Sequence, residues 1–592
     1  MTARRLSVIL GCVAGVLILI GAIIVLGAGA DDSADCVQVE MWTSDEKAEH
    51  LREIAGQYRE TDPRVGGKCV SVEVTVAGSR STADALAAGP GTPWDVERKP
   101  DLWSPSSSVW IEQLRGSVAA RKRRVRSVEA DPPSLATSPV VIAMPEPMAR
   151  VLGWPEEAIG WPDLIRLAQD PQGWGAYGHS EWGAFKLGKT NPLESTTGLE
   201  ATIATATALA GGGAELDAAG LANPAVTDGL RALESSAVHY GRYSETFVQN
   251  LYAADRDGDA MDYVSAIALE EKVLLDYNQG IVLDDPPRHE KPPKVRLAAI
   301  FPADGTMASD SPALLVDAPW VSAEKRRAAG DFRDFARSRK NVFVDAGFRD
   351  GEGNAGPRHT EDNGTLASPP GYTRVRTPSA AVVEGVRQLW TQLRRRANVL
   401  LVVDVSGSMR EQVPSAQRSR LALAQEAAQL VPAQLAPDDG LALWEFSSEF
   451  GTDPKPWRQL VPLGPRSQVG DTFTAEVDGM QANGGTALYA TTRDAVDSIR
   501  AHFDPSRINA VILLSDGENA YDKDNDLQGL LRDLTPSDPD QVVRVFTIAY
   551  AEEDKEMRVV LADIASTTRA GAYDAGNAEQ IDEVILDVLS NF

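Results

Sequence analysis

Histidine and cysteine are scarce in this chain, which has 6 and 3 of them among 592 residues. The histidines lack the short paired spacing of a zinc site, and no cysteine stands in a setting that suggests a nucleophile. No serine, histidine and aspartate form a set that could carry nucleophilic catalysis. We therefore expect a protein that is not an enzyme.

Basic residues are also few, since the chain has 58 lysines and arginines against 85 acidic residues and a net charge of −27. A nucleic-acid-binding protein needs a basic surface to neutralise phosphates, so this balance excludes nucleic acid as a partner. An acidic surface keeps a protein soluble and attracts divalent cations.

Only one long stretch lacks charge, at residues 6–30. A bilayer core needs about 20 apolar residues, so this stretch is long enough to span a membrane. Arg4 and Arg5 precede it and Asp31 and Asp32 follow it. The positive-inside rule then places residue 1 in the cytoplasm and the bulk of the chain outside the cell. We expect residues 1–35 to form a cytoplasmic stub and a single-pass anchor in the cell membrane.

The same stretch has a second interpretation as a signal peptide, because Ala28-Gly29-Ala30 fits a signal-peptidase site. The apolar core is longer than the roughly 7–15 residues of a signal peptide. A retained anchor is therefore the favoured interpretation, and cleavage stays open.

Two cysteines, Cys36 and Cys69, follow the anchor, each beside a predicted strand. An even pair in an exported domain indicates a disulfide, and the alternative is two buried free thiols.

A short motif, Asp404-Val405-Ser406-Gly407-Ser408, follows the apolar run at residues 398–403. Such a run is typical of a strand buried on both faces. Carboxylate and hydroxyl oxygens are the ligands of a hard divalent cation. The alternative is that Asp404 caps the next helix while Ser406 and Ser408 fill a loop.

Two further segments continue the pattern: Gly484-Gly485-Thr486, and a second apolar run that ends at Ser515-Asp516-Gly517. The chain from about residue 398 to 592 thus resembles the von Willebrand factor A-type domain. The likeness includes the metal-ion-dependent adhesion site of that family, with its D-x-S-x-S, Thr and Asp elements in order. The matching residues are Asp404, Ser406, Ser408, Thr486 and Asp516.

This resemblance implies a Mg²⁺ site, with Mn²⁺ or Ca²⁺ as alternatives, and an open coordination position that an acidic side chain of a protein partner fills. It also implies a doubly wound, Rossmann-like α/β domain over residues 397–592. The hydrophobic pattern agrees, since it predicts a helix at 420–435, a strand at 440–446, a helix at 486–503, a strand at 542–550 and a closing helix at 578–589.

In the preceding segment, residues 36–350, predicted strands alternate with predicted helices. Strands at 37–42 and 70–76 each lead into a helix, and a third, at 100–103, ends in Ser104-Pro105-Ser106. Residues 301–306 and 318–321 resemble a return into the first lobe. The pattern resembles the type II extracellular solute-binding proteins, which implies two lobes around a cleft for a small polar solute.

Helix starts supply the candidate cleft residues, because free N–H groups and hydroxyls there bind polar or anionic ligands. For each of them plain N-capping is the alternative, and the cleft could also be a relic that binds nothing soluble. The candidates are Ser44, Ser79, Ser106, Ser195 and Thr196.

Residues 351–396 have a loop composition at first and a helical pattern from 379, which predicts a linker between the domains. We interpret the chain as a membrane-anchored extracytoplasmic binding protein with a magnesium-dependent adhesion site for protein recognition. The alternative function is a solute receptor of a transport or sensory system, in which the C-terminal domain only docks the receptor to a complex.

Overall fold

The structure is a computed structural model, and it describes most of the chain beyond the predicted anchor. The described residues are 36–88, 94, 96–120, 124–282, 288–414, 416–450, 454–516, 519–538, 540–549, 555–575 and 581–592. Among them, no helix is both long enough and apolar enough to cross a membrane. The predicted anchor at residues 6–30 lies outside the described residues.

The first domain is mixed α/β. Its strands are β1 (Val37–Thr43), β2 (Arg64–Val65), β3 (Lys68–Val76), β4 (Leu102–Ser104), β5 (Ala136–Pro145), β6 (Leu187–Thr190), β7 (Ala237–Gly241), β8 (Ala266–Glu270), β9 (Ile281–Val282), β10 (Arg288–His289), β11 (Leu297–Ile300), β12 (Ala308–Ser309), β13 (Leu314–Leu315) and β14 (Arg349–Asp350). Its helices are α1 (Ala48–Glu60), α2 (Ser79–Ala87), α3 (Ser108–Ala120), α4 (Glu146–Val151), α5 (Trp161–Gln169), α6 (Thr196–Leu209), α7 (Ala218–Leu221), α8 (Pro224–Ser235), α9 (Ser244–Asp257), α10 (Ala260–Tyr263), α11 (Glu271–Gln279), α12 (Ala323–Ser338) and α13 (Lys340–Ala346).

Two sheets divide this domain into two lobes. The first lobe has the strand order β13-β4-β1-β3-β2, in which β1 lies parallel to both β3 and β4. The second lobe is built on β11-β5-β8-β6-β7, with β12 and β14 also paired to β5. The chain crosses between the lobes three times, after β4, between β12 and β13, and between β13 and β14. The two-lobed α/β arrangement that the sequence predicts is therefore present.

The predicted disulfide is confirmed. Cys36 and Cys69 are bonded, with their Cα atoms 4.5 Å apart. Strand β3 carries Cys69, and Cys36 directly precedes β1, so the parallel pairing of these two strands brings the cysteines together.

The second domain follows a linker helix, α14 (Ala380–Leu393). Its strands are β15 (Arg396–Asp404), β16 (Gln412–Val413), β17 (Arg418–Ser419), β18 (Gly440–Phe446), β19 (Trp457–Pro465), β20 (Arg507–Ser515), β21 (Arg544–Ala549) and β22 (Ala572–Asp574). Its helices are α15 (Arg420–Gln434), α16 (Arg466–Gly479), α17 (Leu488–Ala501), α18 (Leu527–Leu534), α19 (Lys555–Thr567) and α20 (Ile581–Leu589).

The main sheet of this domain has the order β19-β18-β15-β20-β21-β22, and only the edge strand β19 runs antiparallel to its neighbour. Strand β15 shows why the sheet is doubly wound. Val399, Leu401 and Val403 enter one apolar core, whereas Leu400 and Val402 enter another on the opposite face. Side chains alternate along a strand, so an uninterrupted apolar run requires cover on both faces.

The two domains share an interface formed by β7 and the amino edge of the second domain's sheet. Tyr240 N donates to Asn591 O at 3.0 Å, and Arg544 Nε donates to Val238 O at 3.2 Å. Tyr240 also belongs to the apolar core that holds β15. The amino ends of the strands therefore face the first domain.

Candidate metal centre and solute cleft

Three loops meet at the carboxyl edge of the second domain's sheet. Strands β15 and β20 are parallel neighbours and end at Asp404 and Ser515, so Asp404 and Asp516 emerge side by side. The third loop carries Thr486 just before α17. The carboxyl edge is where open α/β sheets place their binding sites.

A chain of hydrogen bonds links four of the five predicted metal ligands. Asp404 Oδ1 accepts from Ser406 N at 2.8 Å, and the Oγ atoms of Ser406 and Ser408 are 2.9 Å apart. Ser408 Oγ then donates to Asp516 Oδ1 at 2.8 Å. The structure thus brings residues that are 112 positions apart, Asp404 and Asp516, into one polar cluster.

Thr486 lies in the adjoining loop and is 5% exposed. Its carbonyl accepts from Ala520 N at 2.7 Å, while the preceding loop residue Gly484 accepts from Gly407 N at 2.8 Å. Within the described part of the chain, the Thr486 hydroxyl makes no hydrogen bond to the other four candidates. Thr486 is therefore adjacent to the cluster and does not join its hydrogen-bond chain.

Gly484 explains how this loop approaches so closely. Its φ is +73°, and a Cβ there would lie 2.4 Å from Ser447 Oγ. Ser448 Oγ accepts from Gly485 N at 2.7 Å and fixes the next residue. A side chain at position 484 would therefore be strained and would push the Thr486 loop away from Gly407.

The electrostatics of the cluster favour a cation. Asp404 is fully buried, and burial, followed by the negative charge of Asp516, raises its pKa to about 7. Ser515 Oγ donates to Asp404 Oδ2 at 2.6 Å and opposes that rise. Two close buried carboxylates are unfavourable without a positive charge between them.

One residue at the cluster was not predicted from the sequence. Arg420 Nη1 donates to Asp516 Oδ2 at 2.8 Å, and Arg420 Nη2 lies 3.0 Å from Glu411. Arg420 opens α15, where a positive charge is disfavoured by the helix dipole. That misplaced charge is the only sequence signal that Arg420 has an acidic partner.

The donor set fits a hard divalent cation. Two carboxylates and two serine hydroxyls meet in the cluster, with Thr486 in the adjoining loop, and oxygen donors of this kind suit Mg²⁺, Mn²⁺ or Ca²⁺. No group of three or more His, Cys, Asp or Glu able to hold a metal occurs among the described residues. Besides the two aspartates, the oxygen donors present to complete the coordination would be the hydroxyls of Ser406, Ser408 and Thr486.

The five predicted cleft residues all line one cavity of about 640 Å³ between the lobes of the first domain. Gln434 of α15 and Leu586 of α20 also line it, so the second domain forms part of its wall. The predicted residues are Ser44, Ser79, Ser106, Ser195 and Thr196.

Three of these hydroxyls bond to one another, and one of the two bonds joins the lobes. Ser79 Oγ and Ser106 Oγ are 3.1 Å apart in the first lobe, and Ser106 Oγ is 2.9 Å from Thr196 Oγ1 in the second. Ser195 caps α6, because its Oγ accepts from Gly198 N at 3.4 Å. Ser44 Oγ donates to Glu46 Oε1 at 2.6 Å. Ser195 therefore acts as the N-cap of α6. The hydroxyls of the other four candidate residues form hydrogen bonds with side chains.

Two buried acids lie at the cavity, since Glu270 lines it and Glu200 shares a hydroxyl with Glu270. Ser309 Oγ is 2.9 Å from Glu200 Oε2 and 2.7 Å from Glu270 Oε1. A hydroxyl carries one proton, so both bonds form fully only when one carboxyl is protonated and donates. Burial raises the pKa of Glu200 to about 8, which agrees with a neutral acid at this place.

Comparison with known families identifies both domains. The family model described as bacterial extracellular solute-binding protein matches residues 39–349. The model described as von Willebrand factor type A domain matches residues 398–586. The order of domains predicted from the sequence is therefore confirmed.

Individual relatives are more distant. An uncharacterized protein of Mycobacterium tuberculosis is 24% identical over 535 residues, which cover 88% of this chain and 72% of that protein. A von Willebrand factor type A structure from Catenulispora acidiphila is 21% identical with a TM-score of 0.28, over 33% of this chain and 42% of that one. A periplasmic thiamin binding protein is 10% identical with a TM-score of 0.40, over 61% of this chain and 97% of that one.

Proposed function

Because the chain belongs to the bacterial extracellular solute-binding protein family and carries a von Willebrand factor type A domain, we propose that it recognises a protein partner through a divalent cation. The cation would be held by Asp404, Ser406, Ser408, Thr486 and Asp516, with Mg²⁺ as the first choice. The observation that carries the proposal is the hydrogen-bonded cluster of four of these residues at the carboxyl edge of the sheet.

The position of this edge supports recognition of an external partner. The opposite end of β15 meets the first domain, where Arg395 N donates to Tyr240 Oη at 3.0 Å and Arg395 Nη1 donates to Ala237 O at 2.7 Å. Asp404 is the ninth and last residue of β15, which begins directly after Arg395, so the two residues are roughly 30 Å apart along the strand. The metal edge thus points away from the first domain.

The chemistry assigned to each residue follows from its surroundings. A bound divalent cation would offer an open position to a carboxylate of the partner, in the way that the family resemblance implies. Asp404 and Asp516 supply the negative charge that holds a cation, and the serine hydroxyls supply neutral oxygens. Arg420 fixes Asp516 and reduces the net charge of the site. No catalytic role is proposed for these residues.

An extracytoplasmic location is supported by the solute-binding family and by the disulfide. We place the bulk of the chain outside the cell, with residues 6–30 as its membrane anchor. A protease applied to intact cells should then degrade the second domain while leaving cytoplasmic proteins whole.

Capture of a partner tests the proposal. The full chain, immobilised and mixed with solubilised envelope, should retain a protein in Mg²⁺ and release it in EDTA. Asp404→Asn should capture nothing in Mg²⁺. Asp438→Asn is the matched control, since Asp438 is exposed at the opposite end of the sheet and should leave capture intact. A partner retained by all variants in EDTA would contradict metal-dependent recognition.

A second candidate function is a solute receptor, and the cavity of about 640 Å³ favours it. The volume suits a small polar solute, and hydroxyls from both lobes line it. A solute that raises the melting temperature of the wild type but not of Ser106→Ala would support this function. An equal shift in both proteins would place the binding elsewhere.

A further inference from the structure

Helix α14, in the segment between the domains, packs against both lobes of the first domain at once. It contacts α3 of the first lobe and α6, α7 and α8 of the second. A segment that only linked the two domains, as the sequence predicts, would leave the two lobes of the first domain free to move. The helix instead bridges them.

The bridge is apolar. Val382, Val383 and Val386 of α14 are at most 5% exposed and belong to a single hydrophobic core. That core also contains residues of both lobes, and opening the lobes would expose it to water. Its other members include Trp110 and Leu114 from the first lobe and Leu199, Ile203 and Leu230 from the second.

Two glycines show how closely α14 is packed. A Cβ at Gly116 of α3 would lie 2.5 Å from Ala380 Cβ, at the start of α14. A Cβ at Gly385 of α14 would lie 2.7 Å from Leu221 Cδ2 of the second lobe. The helix therefore touches the two lobes on different faces, and neither contact has room to slide.

Polar contacts join the lobes directly beneath α14. Trp110 Nε1 of the first lobe donates to Thr196 Oγ1 of the second at 2.7 Å. Arg80 Nη1 donates to Leu193 O at 2.6 Å, and Ser107 Oγ donates to the buried Glu200 Oε1 at 2.5 Å. These bonds require the lobes to be closed.

The far end of α14 is fixed in the second domain. Trp390 is 1% exposed, lies 5.2 Å from the Tyr240 ring and belongs to the core around β15. Arg394, just after the helix, forms a buried ion pair with Asp439. Detaching α14 from the lobes would therefore disturb the second domain as well.

We propose that α14 holds the two lobes in one closed arrangement, so that the first domain is a fixed support for the second domain rather than a module that opens and closes. Solute exchange through lobe opening is then blocked while α14 is docked. This inference is independent of the metal site, and it limits the second candidate function to solutes that enter through the open side of the cavity.

Distances between spin labels test the inference on the full chain. Cysteines replace Glu53 on α1 and Arg166 on α5, which are exposed positions of the first and second lobes. Cys12, the only cysteine outside the disulfide, is changed to Ser. We expect a single narrow interlobe distance, and a second, longer distance once Val386→Asp places a carboxylate in the shared core.

Ala381→Asp is the matched control, because Ala381 is exposed on the same helix and should keep the single distance. If Val386→Asp fails to fold, the same distance is measured in Gly116→Val. The valine side chain would overlap Ala380, where α14 contacts the first lobe, and should also separate the lobes. Two distances in the labelled protein without these substitutions would overturn the inference. So would a single unchanged distance in folded Val386→Asp or, where that variant does not fold, in folded Gly116→Val.

Discussion

Substitution of Arg420 by Gln should have opposite effects on stability and on metal binding. Without metal, Arg420 is the charged donor to Asp516, whose side chain is fully buried. Hydrogen bonds to charged groups contribute about 1.5–3 kcal/mol, and Arg420 is 21% exposed, so we expect a loss near the lower end of that range. Arg420→Gln should therefore melt at a lower temperature than the wild type in EDTA.

With metal, the same arginine is a positive charge beside a cation. Two unit charges 4 Å apart in water repel by about 1 kcal/mol, and a divalent ion at a somewhat longer distance experiences a similar repulsion. Since 1.4 kcal/mol corresponds to tenfold in affinity, Arg420→Gln should bind Mg²⁺ about fivefold more tightly.

Calorimetric titration of Mg²⁺, paired with melting in EDTA, measures both effects. Arg532→Gln is the control, because its ion pair with Asp526 is exposed and both quantities should stay unchanged. The reasoning would be refuted if Arg420→Gln weakened Mg²⁺ binding. Arg420 would then be needed to position Asp516, and its charge would not oppose the cation.

Gly116→Ala and Glu200→Gln test the first domain, with Gly56→Ala as a control for the first of them. Helical Gly→Ala normally stabilises by about 1 kcal/mol, as expected for Gly56, whose Cβ position is open. Gly116→Ala should instead lower the free energy of unfolding by about 1–2 kcal/mol, because its Cβ would lie 2.5 Å from Ala380 Cβ. Urea unfolding measures both variants, and an equal rise in the free energy of unfolding for Gly56→Ala and Gly116→Ala would contradict that close packing. The folded-state pKa of Glu200 is raised from 4.5 to about 8, so wild-type stability should fall as pH rises between these values. Glu200→Gln should flatten that dependence in melting curves, and an unchanged slope would refute a buried proton on Glu200.

Much of the second domain could be predicted because its signals are local. The helix expected at 420–435 spans Arg420–Gln434, and the strand expected at 440–446 has those bounds. The metal-site pattern likewise resides in three short loops that follow apolar strands. By contrast, β19 was not predicted, since only Val461 among its residues is buried and the usual apolar alternation is missing.

The interactions that escaped prediction are those between distant segments. Arg420 reaches Asp516 only because α15 begins beside the carboxyl edge of the sheet. The cleft hydroxyls were predicted individually, but the bond between Ser106 and Thr196 depends on lobe closure. The linker helix was predicted from its pattern, whereas its apolar contacts with both lobes depend on packing that periodicity does not encode.

Titration of Mg²⁺ into the full chain tests the central claim most directly. The account predicts one binding site in the wild type, and its loss in Asp404→Ala with retained fold. Asp438→Ala, at the opposite end of the sheet, should bind Mg²⁺ as the wild type does. Equal Mg²⁺ binding by the wild type and Asp404→Ala, or none by either, would contradict a metal centre at this edge.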